Sequence, residues 1–227
     1  MNPYYQDDYC TIYHGDCREI LPSLPKVDLV LTDPPYGTGG REGSVHLNDG
    51  AIIGNRMSAD SYIWWLSKIA KGCYQQSLHG VHLYSFSDWR SYKNQQIAYE
   101  SAGWELRSLI VWDKGNGMGE FWRSSHEFIL FLTKQKPDKL KHGGCFNVLR
   151  FPSIKNKNHP AEKPVKLIVE LLKASSSEDQ TILDPFMGSG TTLRAAKDLR
   201  RKAVGIEIEE KYCEIAVQRL RQEVLSL

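Results

Sequence analysis

Two strand-like runs in this chain each end in an aspartate followed by proline. Val27-Asp28-Leu29-Val30-Leu31-Thr32 leads into Asp33-Pro34-Pro35-Tyr36, and Thr181-Ile182-Leu183 leads into Asp184-Pro185-Phe186-Met187-Gly188-Ser189-Gly190-Thr191-Thr192. Proline has no N–H to give a ladder and holds its own φ, so a strand entering it stops there. Each aspartate therefore marks a strand end. After the second one, glycines allow a tight turn and let backbone N–H groups come close to a ligand before a helix begins. A fold that puts strand ends, turns and helix starts to use in this way is an α/β sheet.

The remaining segments agree. Strand candidates are Cys10–His14, Asp28–Thr32, Val81–Phe86, Leu106–Trp112, Glu127–Thr133, Thr181–Leu183 and Ala203–Glu207. Several are unbroken apolar runs rather than alternations, as expected where both sheet faces are covered. Helix candidates are Ser61–Gly72, Trp89–Ala102, Pro164–Ala174, Thr191–Leu199 and Glu209–Val224. The last repeats apolar residues at three- and four-residue steps, and Pro164 suits a first helical position. Strands alternating with helices predict a doubly wound, mostly parallel sheet with helices on both faces. With 227 residues, the chain fits a single domain spanning 1–227. Two stretches fall outside the core pattern: a Gly-rich loop at 37–58, which reads equally as a closing lid or as an unstructured insertion, and a basic segment at 134–158.

Net charge is only +2, but it is unevenly spread. Between Lys134 and Lys157 seven Lys/Arg face one acid, Asp138, which leaves the rest of the chain slightly acidic. A basic strip on an acidic body suits phosphate contact, and it also suits a solvated lysine-rich loop. The five cysteines are scattered without a C-x-x-C pair. They read as reduced thiols, with no metal site expected. No apolar run is long enough to span a membrane, and the first residues show no signal-peptide pattern. A cytoplasmic protein is expected.

In the second motif, the helix start favours a negative group. Glu207 ends the next strand, 19 residues beyond Gly188, a spacing that matches an acid accepting hydrogen bonds from ribose hydroxyls. A generic turn with a solvated strand-end acid would carry the same letters. Trp112-Asp113-Lys114-Gly115-Asn116-Gly117 and Phe121-Trp122-Arg123-Ser124-Ser125-His126-Glu127 read as a hairpin with Trp112 packed inside.

Together, Asp33-Pro34-Pro35-Tyr36 and Asp184-Pro185-Phe186-Met187-Gly188-Ser189-Gly190-Thr191-Thr192 resemble the amino-methyltransferases of DNA. The order, catalytic motif before cofactor motif, resembles their circularly permuted β-class. The resemblance covers nearly the whole chain. It implies a seven-stranded, Rossmann-like methyltransferase sheet with one antiparallel strand near an edge, for which Glu127–Thr133 is the candidate. It also implies S-adenosylmethionine as cofactor. Cofactor contacts are then expected from Asp16 and Cys17 (in His14-Gly15-Asp16-Cys17), Asp33, Lys163 (in His159-Pro160-Ala161-Glu162-Lys163-Pro164), Asp184, Phe186, Gly188, Ser189, Gly190, Thr191, Thr192 and Glu207, with a weaker one from His159. Cys17 has no basic neighbour to activate it as a nucleophile.

The catalytic residues implied are Asp33, Pro34, Pro35 and Tyr36. An exocyclic amine is a poor nucleophile because its lone pair is delocalised into the ring. The Asp33 carboxylate and the Pro34 carbonyl could accept its two N–H groups, and Tyr36 could stack on the base. A base inside a duplex must be flipped out to reach them. Aspartate in the first position favours adenine-N6 over cytosine-N4, the alternative chemistry; an inactive nucleic-acid-binding subunit is a further alternative. DNA contacts are expected from Lys114, Arg123, Arg150, Lys155 and Lys157. The basic segment falls where the family keeps its target-recognition region. The partners implied are double-stranded DNA, a second copy of the chain and a cognate restriction nuclease, in a bacterial or phage-encoded system.

Overall fold

The computed structural model describes residues 2–37, 57–118, 120–154 and 162–222. Its strands are β1 (Tyr5–Gln6), β2 (Cys10–His14), β3 (Val27–Thr32), β4 (Ser77–Ser87), β5 (Glu105–Met118), β6 (Ser124–Thr133), β7 (Val148–Arg150), β8 (Thr181–Asp184) and β9 (Lys202–Glu207). They form one sheet in the order β1-β2-β9-β8-β3-β4-β6-β5-β7. Seven of these contain the seven expected runs. Among the described residues the sheet has nine strands rather than seven because short strands add to both edges, β1 beside β2 and β7 beside β5. At two and three residues, neither is long enough to carry a pattern that sequence could reveal.

β6 runs antiparallel to both neighbours, β4 and β5, as expected for Glu127–Thr133. β1 is antiparallel to β2, and every other pairing is parallel. β5 and β6 extend past their apolar runs, and the last pair of their hairpin is Met118 with Ser124.

The helices are α1 (Cys17–Ile20), α2 (Ala59–Gln76), α3 (Tyr92–Ser101), α4 (Val165–Ser175), α5 (Thr191–Asp198) and α6 (Glu210–Arg221). They sort into two layers. Val30, Leu183 and Val204 point to a core shared with α1, α2 and α3. Their chain neighbours Leu29, Leu31, Ile182 and Ala203 point to the other core, with α4, α5 and α6. Successive strand residues face opposite sides, so a strand covered on both faces needs no polar alternation. Pro164 sits one residue before α4, as its N-cap.

Lys134 departs from expectation. Rather than opening an exposed basic strip, it is buried at the end of α2. Its ammonium donates to the carbonyls of Tyr74 at 2.7 Å and Ser77 at 2.6 Å and lies 4.5 Å from the Tyr74 ring centroid. A cation there satisfies carbonyls that the helix leaves unpaired and opposes the negative end of its dipole.

β3 and β8 are neighbours, with Leu29 opposite Ile182 and Val30 opposite Leu183. From β8 the chain crosses through α5 to β9 on one side; from β3 it crosses through α2 to β4 on the other. This reversal opens a crevice beyond the carboxyl ends of the two strands, where ligands of doubly wound sheets bind. Asp184 closes β8 and Asp33 follows β3, so motifs at opposite ends of the sequence share one mouth. Which came first along the chain has no bearing on that geometry.

Candidate active site

A cleft of about 360 Å³ occupies this mouth and is lined by both motifs. On one side, the glycine elbow is held by backbone hydrogen bonds. Met187 N–H donates to the Ile206 carbonyl at 3.1 Å and Gly190 N–H to the Met187 carbonyl at 2.9 Å. Phe186 N–H donates to Asp184 at 3.1 Å. Gly188 has φ +50°, a conformation open to glycine at little cost. Its N–H donates to Glu207 Oε2 at 3.0 Å, and Glu209 N–H donates to Oε1 at 2.9 Å. Burial raises the Glu207 pKa, against these N–H donors. Asp184 is buried more deeply, and desolvation pushes its carboxyl up to about 7.

Asp16, Cys17, Phe186, Ser189, Thr191 and Thr192 also line the cleft. Asp16 caps α1 by accepting Arg18 N–H at 2.9 Å and binds the Arg18 guanidinium at 2.5 Å, which lowers its pKa. Burial pushes the Cys17 thiol up to about 12, so it stays protonated. Gly190 departs from expectation and does not line the cleft. It stands at φ +77° before α5, where an added Cβ would come within 2.8 Å of the Ala216 side chain. Its missing side chain serves the packing of α5 on α6.

The other side of the cleft is an arrangement of charges. Asp33 Oδ1 accepts the Tyr36 hydroxyl at 3.0 Å and Oδ2 accepts the Lys163 ammonium at 2.6 Å. Lys163, expected at the cofactor, lines the cleft and stands on the Asp33 carboxylate, and also 3.3 Å from the Tyr36 hydroxyl. Ser91 Oγ donates to the Tyr36 carbonyl at 2.7 Å and ties the tetrapeptide to the start of α3.

Glu127, on β6, is a site residue that sequence reasoning missed. Its carboxylate accepts the Tyr36 hydroxyl at 3.3 Å and Lys114 at 3.3 Å, and it lies 3.5 Å from Lys163. The available signal was a lone acid at the head of an apolar strand run. Lys114, expected to face DNA, instead turns inward to this acid. Two carboxylates and two ammonium groups therefore interlock around Tyr36. Burial raises the Asp33 pKa and Glu127 adds to that rise, while Lys163 opposes it. Burial works to raise Glu127 as well, but Lys163 and Lys114 outweigh it and hold Glu127 below its ordinary value. Burial would lower Lys163, yet Asp33 and Glu127 keep its pKa raised. Such a corner can accept N–H groups and keep a proton acceptor ionised in a poorly solvated place.

Arg123 is exposed in the hairpin loop. Arg150 is exposed at the sheet edge, its Nε 2.8 Å from Asp113. Lys155, Lys157, His159 and most of the Gly-rich loop lie outside the described residues. Among the described residues no group of His, Cys, Asp and Glu could hold a metal, and no helix is long and apolar enough to cross a membrane.

The model of the N6/N4 DNA methylases matches residues 27–218, a span holding both motifs and Glu127. This chain belongs to that family. Its members are S-adenosylmethionine-dependent DNA methyltransferases. The methylase is 28% identical to the Type II methyltransferase M.ScaI of Streptomyces caespitosus, over 99% of this chain and 86% of the relative. Among solved structures it resembles the M1.HpyAVI complex with S-adenosylmethionine (TM-score 0.72, 25% identity, 94% of this chain and 100% of that one). It also shares the fold of the cytosine-N4-specific PvuII DNA methyltransferase (TM-score 0.81, 18% identity, 99% and 90% covered).

Proposed function

We propose that this methylase transfers a methyl group from S-adenosylmethionine to the exocyclic N6 amine of adenine flipped out of double-stranded DNA. The observation that carries the reading is the shared cleft: the Asp33–Lys163–Tyr36–Glu127 corner opens onto the space lined by Gly188 and Glu207. The volume, near the lower end for small-molecule pockets, and the donor set fit the cofactor. Glu207 offers a carboxylate to ribose hydroxyls, Gly188, Ser189, Thr191 and Thr192 offer N–H and hydroxyl groups, and Asp16 and Phe186 line the same space. Bound there, S-adenosylmethionine supplies a methyl group activated by a positively charged sulfur.

The chain's own residues do the rest. Asp33 accepts an N–H of the amine, which draws the nitrogen out of conjugation, and takes up the proton released on methylation. Lys163 keeps Asp33 ionised until then. Pro34 and Pro35 hold the backbone stiff, and Tyr36, anchored through its hydroxyl, offers its face to the base. Phe86 and Trp112 wall the cleft and keep water from the reacting groups. Aspartate at position 33 supports adenine. The fold itself accommodates cytosine-N4 chemistry in the PvuII enzyme, so the product decides the base. The short basic segment supports a second copy of the chain sharing recognition, and the likeness to Type II methyltransferases supports a cognate nuclease.

Incubation of DNA with the protein and methyl-labelled S-adenosylmethionine, then digestion to nucleosides, tests the reading. Label in N6-methyldeoxyadenosine is expected. Label in N4-methyldeoxycytidine overturns the choice of base, and no label overturns the activity.

A further inference from the structure

The loop of the β5–β6 hairpin presents two large aromatic side chains to solvent: Phe121 is 91% exposed and Trp122 is 99% exposed. The core does not require this. Trp112, Ile129 and Leu130 on the same strands are buried, and a hairpin ending at Asp113 and His126 would already cover them. Strand pairing resumes farther out, at Met118 with Ser124, and carries the loop away from the body. An exposed apolar cluster of this kind marks a surface used in binding. Other exposed tryptophans have a local companion: Lys68 stands 5.6 Å from the Trp64 ring centroid and Arg90 stands 5.7 Å from that of Trp89. No cation–ring contact of this type involves Trp122 among the described residues.

Two observations decide what this tip meets. The strands that carry it also carry Trp112 and Glu127 into the cleft. At about 3.3 Å per extended residue, the five steps from Glu127 to Trp122 keep the tip within about 16 Å of Glu127 along the chain. The next residue, Arg123, is exposed and can meet a phosphate. Flat apolar rings beside a cation, at fixed reach from a pocket that takes a single base, fit nucleic acid.

Resting on the methyltransferase reading of the cleft, we infer that Phe121 and Trp122 form a wedge that enters the DNA stack where the target base leaves it. Extrusion breaks stacking on both sides of the target. An aromatic side chain slid into the gap replaces part of that stacking and holds the duplex open. The wedge is therefore needed for paired DNA and dispensable where the base is already unpaired.

The test compares wild type with F121A/W122A. It measures methyl incorporation into sheared genomic DNA of a methylation-deficient bacterial host, offered native or heat-denatured at subsaturating concentration. The double variant should lose roughly tenfold or more on native DNA, on the scale of an aromatic–base stack, and under about threefold on denatured DNA. Calorimetric uptake of S-adenosylmethionine and the melting temperature should be unchanged. Equal losses on both substrates, an unchanged rate on native DNA, or a wild type active only on denatured DNA would each overturn the wedge. Losses that track the appearance of monomer in sedimentation would assign the tip to a second copy instead. Binding gives a readout independent of turnover: adding duplex should quench emission in wild type by an amount missing from W122F, and equal quenching in the two overturns the proposal. Absence of label from wild type on every substrate would instead reject the methyltransferase reading.

Discussion

The two walls of the cleft are built by different means. The elbow wall is made of backbone. Phe186, Gly188, Gly190 and Glu209 place their N–H groups on partners nearby in sequence or on the adjoining strand. The catalytic wall is made of side chains from distant places: Asp33 and Tyr36 after β3, Lys163 before α4, Lys114 and Glu127 on the hairpin. The elbow's main-chain donors are fixed by bonds to the Ile206 and Met187 carbonyls, with the Asp184 and Glu207 carboxylates completing the set. A wall of interlocked charges takes its properties from each partner. The first suits binding a fixed ligand, and the second suits moving a proton.

This contrast predicts a double dissociation, the largest effect expected. Asp33→Ala should lower transfer by about 10²- to 10⁴-fold, the range for loss of a general base, with S-adenosylmethionine affinity within about threefold of wild type. Glu207→Ala should do the reverse, weakening cofactor binding by roughly 10- to 100-fold, as for lost hydrogen bonds to a charged group. Calorimetry and single-turnover rates at saturating cofactor separate the two. If Asp33→Ala weakens cofactor binding as much as Glu207→Ala, the walls do not act separately.

Stability should divide along the same line. Gly190→Ala puts a methyl group where Ala216 already sits, at a φ that alanine resists. The combined strain should cost about 1–3 kcal/mol. For a chain of this size, that lowers the melting temperature by roughly 2–12 °C. Scanning calorimetry measures it. A melting temperature equal to wild type would show that the elbow adjusts its backbone, contrary to the rigidity assigned to it.

The same division explains what could be read in the sequence. Both motifs were legible because each is a local device, a strand end followed by a turn whose residue types state the backbone they need. The seven principal strands and the antiparallel β6 were legible from burial pattern and resemblance. Glu127 was not. Its place beside Tyr36, 91 residues away, exists only because β6 inserts between β4 and β5. Lys163 was legible as a site residue, but not its partner, since contact with Asp33 spans 130 residues. Gly190 looks like any other turn glycine until α6 is seen packing against it. Lys134 carries the same letter as the solvated lysines after it, and only the end of α2 sets it apart.

The catalytic wall can be probed further by taking away one charge at a time. If Asp33 is the proton acceptor as proposed, the rate should fall on the acid side as pH drops through its pKa, which burial raises above the ordinary value. Lys163 and Glu127 pull that pKa in opposite directions, the ammonium lowering it and the second carboxylate raising it. Lys163→Met should therefore move the acid limb of the single-turnover rate to higher pH. Glu127→Gln should move it to lower pH, because it removes a like charge beside Asp33. A residue that only fills space would change the height of the profile and leave its limb in place. Glu127→Asp should restore the wild-type limb if it is the charge that matters. The shifts should be smaller than the loss in Asp33→Ala, since neither group accepts the proton. Limbs moving the same way in both variants would mean that the shared ammonium does not set the ionisation of Asp33, and the wall would have to be understood through its shape.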